Sequence, residues 1–376
     1  PVAAIYAVPH RRHADAAAQG CPFGGDGGRQ AVVQPRTKAI QPKEGADFAV
    51  FHRKENAAEE VSFRNFLNAL CNDSDSPRVV MLGEVHDDAV THKLQFEVLK
   101  HLEEYCREKR RRLVLSLEMF ETDVQDVLDE YVVHRAIREQ DMLLDARPWG
   151  NYLEDYRPLV EFCRERRIRV IAANAPRRYV SLVARHGSGA LDELAASRPL
   201  LPPLPLPEPS AAYRRKFEET MSMPALQSKS GSCPFIGFSS DDLKQVKPEM
   251  MQAQQLWDHS MAQSVALALD STDEGSDYDS SQPSLVLHIC GAFHCAHGLG
   301  IPEALPRYWS ADAGRPESDH VGPKPCPEGV VSVICWPAAV SPTLDLVRSG
   351  RAPRALQAMG DWVIITEETF AERAVE

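Results

Sequence analysis

The chain has 376 residues, in which 54 acidic side chains outnumber 42 lysines and arginines and give a formal net charge of −12. So acidic a chain is a poor match for a protein that binds phosphate backbones through charge. Apolar residues make up 43% of the chain, which suits a globular core, but no apolar run reaches the roughly 20 residues that span a bilayer. We therefore expect neither nucleic-acid binding nor a transmembrane segment.

Nine cysteines at irregular spacings, with no Cys-x-x-Cys pair, do not predict a zinc ribbon. Cys290 and Cys295 flank a glycine-histidine motif, which suits free thiols, and we expect a reducing compartment. The chain begins at Pro1 without a methionine, from which we expect that a targeting peptide was removed or that the sequence was trimmed.

Low-complexity segments divide the chain. Residues 1–45 are rich in Ala, Gly, Pro and Arg without periodicity, which predicts a flexible N-terminal arm. Residues 46–376 are expected to form one domain. Within it, residues 200–209 read LLPPLPLPEP and predict an extended connector, and residues 271–283 predict a solvated acidic loop.

Between these segments, short apolar runs alternate with stretches whose apolar residues recur at helical spacing. The predicted strands are 78–82, 113–117, 170–173, 285–289, 330–335 and 362–365. The predicted helices are 94–106, 123–133, 159–163 and 250–269. This alternation predicts an α/β fold with a central, mostly parallel sheet flanked by helices. A helical, proline-rich insertion at about 192–250 is expected to form a lid over one edge of the sheet.

Polar residues stand where four predicted strands end. Gly83–His86 follows the first strand, Glu118 ends the second, Asn174 ends the third, and Gly291–His294 follows the fourth. In a parallel sheet these ends lie along one edge, here called the carboxyl edge, where ligands bind. We therefore expect a functional site there, although each signal alone is also typical of a tight turn or a surface histidine.

The paired Gly-x-x-His motifs allow two kinds of chemistry. His86 and His294, with Glu84 or Glu118, are the residue types that hold a divalent transition metal. The same groups are also suited to general acid and base catalysis, since histidine titrates near neutral pH. The spacing does not choose between these alternatives.

These residues resemble the ChaN-like haem-binding family, which is grouped with Tiki, TraB and the erythromycin esterases. The resemblance runs from about Val79 to Pro302. It is carried by LGEVHDD, His92 and Gln95, LEMF, AANAP, QLWDHSMA and GAFHCAHGLGIP. The superfamily is marked by paired Gly-x-x-His motifs and a strand-end glutamate, which correspond here to Gly83 and His86, Gly291 and His294, and Glu118.

The resemblance implies haem or tetrapyrrole binding in haem or iron handling, with a tyrosine as the iron ligand and a homodimer that holds haems face to face. Tiki proteins resemble metal-dependent proteases, and the esterases use a histidine base. The motifs QLWDHSMA and GLGIP are closer to the ChaN branch. The proline connector, the acidic loop and the arm depart from the family, and no lipobox cysteine is evident. ChaN-like domains also occur in plants, so the resemblance favours a plastid (chloroplast) location.

A tyrosinate ligand requires a phenol within an apolar slot. Tyr152 and Tyr156, in RPWGNYLEDYRPL, are two candidates, and Tyr179 is a third because it follows the strand-end Asn174. Arg177 is a candidate partner for haem propionates, since guanidinium groups pair with carboxylates. The alternatives are that the tyrosines pack in the core and that the arginine is an ordinary exposed residue.

Other residues are expected to contribute to a haem site. Asp258 on the long helix is placed to orient a histidine, and His92 and Asn174 belong to the family motifs. Cys233 lies in a Cys-Pro-Phe sequence that resembles haem regulatory motifs, although such dipeptides also arise by chance.

Three functions follow from these observations. The first is haem or tetrapyrrole binding. The alternative is a metal-dependent protease or esterase with His86, Glu118 and His294 as catalytic residues and Glu84 as a further metal ligand. The third is a structural subunit of a larger complex.

Overall fold

The computed structural model describes most of the predicted domain. The described residues are 41–54, 58–72, 76–195, 200–221, 247–270, 283–309, 327–337 and 359–367. The predicted N-terminal arm and acidic loop lie almost entirely outside these ranges.

The described strands alternate with helices along most of the chain. The strands are β1 (Phe48–Arg53), β2 (Ala58–Val61), β3 (Val79–Glu84), β4 (Leu113–Glu121), β5 (Arg169–Asn174), β6 (Leu285–Gly291), β7 (Val330–Pro337) and β8 (Trp362–Thr366). The helices are α1 (Phe63–Leu70), α2 (Ala89–Glu108), α3 (Gln125–Val132), α4 (Glu139–Ala146), α5 (Arg157–Arg166), α6 (Arg177–His186), α7 (Asp192–Ala195), α8 (Ala211–Met221), α9 (Pro248–Asp270) and α10 (Ile301–Ala304).

One eight-stranded sheet has the order β2-β1-β8-β7-β3-β6-β4-β5. The pairs from β8 through β5 are all parallel, and only β1 pairs antiparallel, with β2 and β8. The α/β prediction with a mostly parallel sheet is therefore confirmed. All six predicted strands are present, and β4 continues four residues past its predicted end, to Glu121.

The edge hairpin of β1 and β2 was not predicted. Residues 48–51 are buried, but this apolar stretch is short and runs directly into His52 and Arg53. The β2 sequence, AEEV, has no apolar alternation because the strand lies at the edge of the sheet with its two glutamates exposed. Neither segment therefore carries the period-2 pattern by which a strand is recognised.

Helices cover both faces of the sheet because its strands alternate between two apolar cores. In β3, Val80 and Leu82 join the core under α2, and Val79 and Met81 join the core under α9. Each fully buried side chain of this size contributes about 1.5–3 kcal/mol of transfer free energy. The sheet interior is thereby held rigid, and the polar strand ends are left at the carboxyl edge.

The insertion between β5 and β6 crosses the carboxyl edge in its described part. The Thr122 hydroxyl, just after β4, donates to the carbonyl of Leu200, and the side-chain amide of Gln255 donates to the carbonyl of Pro207. Residues 200–210 contain neither helix nor strand, as the connector sequence predicts. Within the described ranges, no helix combines the length and apolar character needed to cross a bilayer.

Asp88 joins α2 to the far strand β8. Its carboxylate accepts hydrogen bonds from the Val90 and Thr91 amides at 3.0 and 3.2 Å and from the Thr366 hydroxyl at 2.6 Å. We expect Asp88→Ala to lower the free energy of unfolding by about 2 kcal/mol, because a helix cap and a partner of a buried hydroxyl are both lost. Urea unfolding measures this change.

Two further variants separate the two contributions. Asp88→Asn keeps a capping oxygen and should lose less stability, and Thr366→Val removes only the contact with β8. A loss in Asp88→Ala no larger than that in Thr366→Val would show that the helix cap contributes nothing.

Candidate functional site

The predicted polar segments meet at the carboxyl edge. β3 ends at Glu84, β4 at Glu121, β5 at Asn174 and β6 at Gly291. β6 lies between β3 and β4, and its parallel register with β3 sets Glu84 opposite Gly291. The two Gly-x-x-His motifs, far apart in sequence, are therefore neighbours in space.

Each motif glycine leaves room for the other motif. A Cβ at Gly83 would lie 2.7 Å from Cys295 Sγ and 2.9 Å from a backbone atom of the loop after β6. A Cβ at Gly291 would lie 3.0 Å from the Cε1 and Nε2 atoms of His86 and 3.6 Å from the Cδ2 atom of His294. Both imidazole rings thus converge on Gly291, and the His86 ring packs so closely against it that a Cβ there would not fit without a shift.

His86 is anchored through its Nδ1 atom, which lies 2.9 Å from Glu84 Oε1. Glu84 also accepts hydrogen bonds from the Tyr156 hydroxyl at 2.5 Å and from the side-chain amide of Gln95. His92 Nδ1 lies 3.6 Å from Glu84 Oε2. The Glu84 side chain is fully buried, so this network fixes both the carboxylate and the ring of His86.

His294 is held between two carboxylates. Its Nδ1 atom lies 2.6 Å from Asp258 Oδ1, and its Nε2 atom lies 3.5 Å from Glu118 Oε1. The other Glu118 oxygen accepts a hydrogen bond from the Gly291 amide at 2.7 Å. Asp258 therefore reaches the site and orients a histidine, as the sequence predicts.

These contacts set the protonation of the site. Burial opposes the charge on His294, but the charges of Glu118 and Asp258 outweigh it and raise the pKa of His294 to about 10. Burial likewise opposes the charge on Glu118, but the charge and hydrogen bond of His294 lower the pKa of Glu118 to about 2. His86 follows the same logic: the hydrogen bond to Glu84 and the charge of Glu118 overcome burial and raise its pKa.

The two histidines differ in their access to solvent. The side chain of His86 is 34% exposed, whereas that of His294 is 9% exposed. A turn before α5 lies against His86: the ring of Trp149 meets the imidazole edge to face at 4.8 Å, and the Asn151 side-chain amide donates to the His86 carbonyl at 3.1 Å. His86 is thus the histidine that a ligand at the carboxyl edge can reach.

Helix α8 closes the other side of the site. The Tyr213 hydroxyl donates to Asp258 Oδ2 at 2.5 Å. Lys216 Nζ donates to the carbonyl of Ala296 at 3.1 Å and lies 4.5 Å from the centre of the Phe293 ring. Burial lowers the pKa of Lys216 to about 8. The described part of the insertion therefore contacts the second Gly-x-x-His motif directly.

Sequence reasoning missed Tyr213 and Lys216. Ser210 caps α8 by accepting the Tyr213 amide at 3.1 Å, and Tyr213, Phe217 and Met221 share one buried cluster. A capping serine followed by large apolar residues at four-residue spacing is a readable helix signal. It would have identified Tyr213 as an inward-facing residue.

The three predicted ligand tyrosines lie in the interior. Tyr152, Tyr156 and Tyr179 are 1%, 0% and 3% exposed. Tyr156 bonds to Glu84, Tyr152 packs beside Phe120 at 5.8 Å, and Tyr179 belongs to a separate cluster on α6. The Tyr156 hydroxyl thus reaches the carboxyl edge from the interior, where Glu84 ends β3. A tyrosine ligand within an apolar slot stays a prediction.

The other predicted contacts are scattered. Arg177 is half-exposed, and its Nε atom lies 3.8 Å from Glu121 Oε1. The side-chain oxygen of Asn174 accepts the amide of Ala175 at 2.9 Å and so serves the local turn. Cys233 lies outside the described residues.

The metal-dependent hydrolase is not favoured by this geometry. In the part of the chain that the structure describes, no three His, Cys, Asp or Glu side chains are arranged to hold a metal ion. Glu84 is committed to Tyr156 and Gln95, and Glu118 to the Gly291 amide. His294 lies between Glu118 and Asp258, whose charges raise its pKa to about 10.

Comparison with known proteins gives a family match and two relatives. A sequence model of the family described as haem-binding uptake, Tiki superfamily, ChaN, matches residues 70–305, more than half of the chain. The curated protein RETICULATA-RELATED 5, chloroplastic, from Arabidopsis thaliana is 30% identical over 129 residues. That alignment covers 31% of this chain and 16% of the Arabidopsis protein, so the chain spans only a small part of this relative's length.

The fold resembles a solved structure described as cofacial heme binding to ChaN of Campylobacter jejuni. The TM-score is 0.56 at 16% sequence identity, and the alignment covers 86% of this chain and 98% of that one. At this identity the likeness establishes the shared fold.

The interlocking glycines predict unequal effects of two alanine substitutions. Gly83→Ala places a Cβ against sulfur and backbone atoms, so we expect a loss of about 1–3 kcal/mol in the free energy of unfolding. Gly291→Ala meets only the end of the His86 side chain, so it should displace that ring and lower the pKa of His86 with a smaller stability loss.

Urea unfolding and NMR titration of the histidines measure these effects, with Gly189→Ala as the control because nothing lies within 4 Å of a Cβ there. An unchanged titration of His86 in Gly291→Ala would contradict the close packing of the His86 ring against Gly291.

The contacts of His294 with Asp258 and Glu118 predict that the free energy of unfolding depends on the protonation of His294. Its pKa is raised from about 6.5 to about 10, so its contribution is complete below pH 6.5 and is lost as the pH rises through 10. We expect the stability difference between the wild type and His294→Gln to narrow between pH 7 and pH 10. The exposed His134→Gln serves as the control in urea unfolding, and a difference that stays constant with pH would overturn this assignment.

Proposed function

The chain belongs to the ChaN family of the Tiki superfamily, which is described as haem-binding uptake, and from this premise we propose that it binds haem or a related tetrapyrrole at the carboxyl edge of its sheet. The observation that carries the proposal is the extent of the family match. Residues 70–305 contain both Gly-x-x-His motifs, Glu118, Asp258 and α8, so the complete site lies within the matched region.

The residues present fit a haem group. Haem requires an iron ligand, apolar surface for the macrocycle and cationic partners for its propionates. His86 supplies an imidazole that is 34% exposed and that packs against the bare backbone of Gly291. Trp149 lies against that imidazole, and Leu153 on the same turn is 58% exposed.

Cationic partners stand at the end of β4. Arg147, Arg177 and Arg178 are each about half-exposed and pair with Glu121 or Asp123. Because these pairs face solvent, each is worth about 0–1 kcal/mol and can be exchanged for a propionate at little cost. We propose Arg177 as one such partner.

Within the proposal, bound haem supplies the iron centre, and the residues of the chain bind and orient it. His86 faces the ligand, while His92 and Asp258 hold the polar networks behind the two histidines. His294, as a buried cation, offers charge to an anionic ligand. Asn174 shapes the end of β5 beside Arg177.

The proposal extends to the location of the chain and to its assembly. A plastid location is supported by the Arabidopsis relative, whose name describes it as chloroplastic. The proposed assembly is the homodimer that the family resemblance implies. Fractionation and light scattering with and without hemin test these two points.

Hemin titration of the purified full chain tests the proposed function. We expect a saturable Soret shift with a fixed stoichiometry per chain and a Kd of about 1 μM or below, equivalent to about 8 kcal/mol or more. Metal-free protoporphyrin should bind more weakly if an iron–ligand bond contributes. A shift that rises linearly without saturation would mean non-specific adsorption and would overturn the proposal.

A matched pair of arginines tests the proposed location. Arg177 and Arg166 are both 51% exposed, and each lies 3.8 Å from a glutamate oxygen, but Arg166 ends α5 and so lies at the opposite edge of the sheet. Arg177→Gln should raise the Kd for hemin about tenfold, or about 1.4 kcal/mol, because a propionate partner is lost. Arg166→Gln should leave it unchanged. Equal effects of the two would place haem elsewhere.

A further inference from the structure

We propose that the iron ligand of this chain is His86 Nε2, with the buried carboxylate of Glu84 as its positioning partner. This inference rests on the proposed haem binding. It departs from the tyrosine ligand that the family resemblance implies, and it follows from the way the chain disposes its phenols and imidazoles.

The two ring nitrogens of His86 differ: Nδ1 is hydrogen-bonded to Glu84, and Nε2 is available to a ligand. Nδ1 lies 2.9 Å from Glu84 Oε1, so it carries a hydrogen and donates it. Among the described residues, no hydrogen-bond partner of Nε2 is found, and the His86 side chain is 34% exposed where its ring lies against Gly291. A hydrogen bond at one imidazole nitrogen directs the lone pair of the other towards a metal.

Further hydrogen bonds fix the position of Glu84 behind His86. One oxygen also accepts the Tyr156 hydroxyl, and the other accepts the Gln95 amide. The side chain is fully buried, so these hydrogen bonds fix the carboxylate behind the His86 ring. An ionised carboxylate behind a ligating imidazole makes that imidazole a stronger donor to iron.

The tyrosine hydroxyls near the site are hydrogen-bonded or buried and do not lie beside His86 Nε2 as open ligands. The Tyr156 hydroxyl donates its hydrogen bond to Glu84, and burial raises the pKa of Tyr156 well above the ordinary value. Burial also raises the pKa of Tyr152, in the core on the α2 side. Tyr213 bonds to Asp258. A tyrosinate ligand requires a deprotonated phenol that reaches the iron, and none of these side chains meets both conditions.

His294 is unavailable for a different reason. Asp258 takes its Nδ1 atom, and Glu118 pairs with its Nε2 atom. Both nitrogens face carboxylates, and the side chain is only 9% exposed. The two Gly-x-x-His motifs are thus unequal: the first offers a ligand and the second offers a fixed cation.

A neutral imidazole ligand has a chemical consequence. A phenolate carries a negative charge that favours ferric iron, whereas imidazole ligates both oxidation states. We therefore expect this chain to keep its haem when the iron is reduced, as proteins with a proximal histidine do.

Resonance Raman spectroscopy of the hemin-loaded full chain, reduced with dithionite, tests the assignment. The wild type should show an iron–histidine stretching band and no phenolate band in its ferric form. His86→Ala should lose the iron–histidine band, weaken hemin binding at least tenfold, and regain the band when imidazole is added. Tyr179→Phe, the matched control, should retain the wild-type spectrum.

A second variant, Glu84→Gln, tests the same assignment if His86→Ala does not fold. Glu84→Gln preserves a hydrogen-bond acceptor but removes the charge, so it should lower the iron–histidine frequency without releasing haem. Phenolate bands in the wild type, or an unchanged spectrum in His86→Ala, would overturn the histidine assignment and leave haem binding intact. Absence of saturable hemin binding by the wild type would instead overturn the proposed function.

Discussion

The parallel pairing of β3 with β6 is the constraint on which the carboxyl edge depends. The register sets Glu84 opposite Gly291, and each motif glycine makes room for the loop of the other motif. A Cβ at Gly83 would meet sulfur and backbone atoms of the second loop, whereas a Cβ at Gly291 would meet the ring of His86. The two histidines can therefore lie together at Gly291 because Gly83 and Gly291 both lack a Cβ.

Buried charge is the second organising feature. Glu84, Glu118 and Asp258 are at most 6% exposed, and an unpaired carboxylate at such depth would be strongly destabilising. Each is satisfied by a histidine and further donors, and the two sides differ in one respect. Glu84 leaves one nitrogen of His86 open, whereas Asp258 and Glu118 occupy both nitrogens of His294. One fold thus turns two similar motifs into groups with different chemistry.

Much of this arrangement follows from the sequence. The central strands are continuous apolar runs, so their positions and the polar residues at their ends could be predicted, and Asp258 was correctly expected to reach a histidine. The hairpin of β1 and β2 could not be found, because the apolar stretch of β1 is short and runs into His52 and Arg53, and β2 lies at the sheet edge with its glutamates exposed.

The roles of the tyrosines lay beyond sequence reasoning for a similar reason. Tyr156 lies close to the site, as expected, but its phenol faces inwards to Glu84. The direction of a side chain on a short turn depends on packing that no periodicity records. Tyr213 reaches Asp258 across 45 residues of sequence, and that contact exists only once the insertion has folded back over the carboxyl edge.

The central claim is that haem binds at the carboxyl edge with its iron on His86, and a crystal structure of the hemin complex tests it most directly. The account predicts iron density bonded to His86 Nε2, with the macrocycle beside Trp149 and a propionate near Arg177. Iron bonded to a tyrosine oxygen, or haem bound away from Gly291, would contradict it.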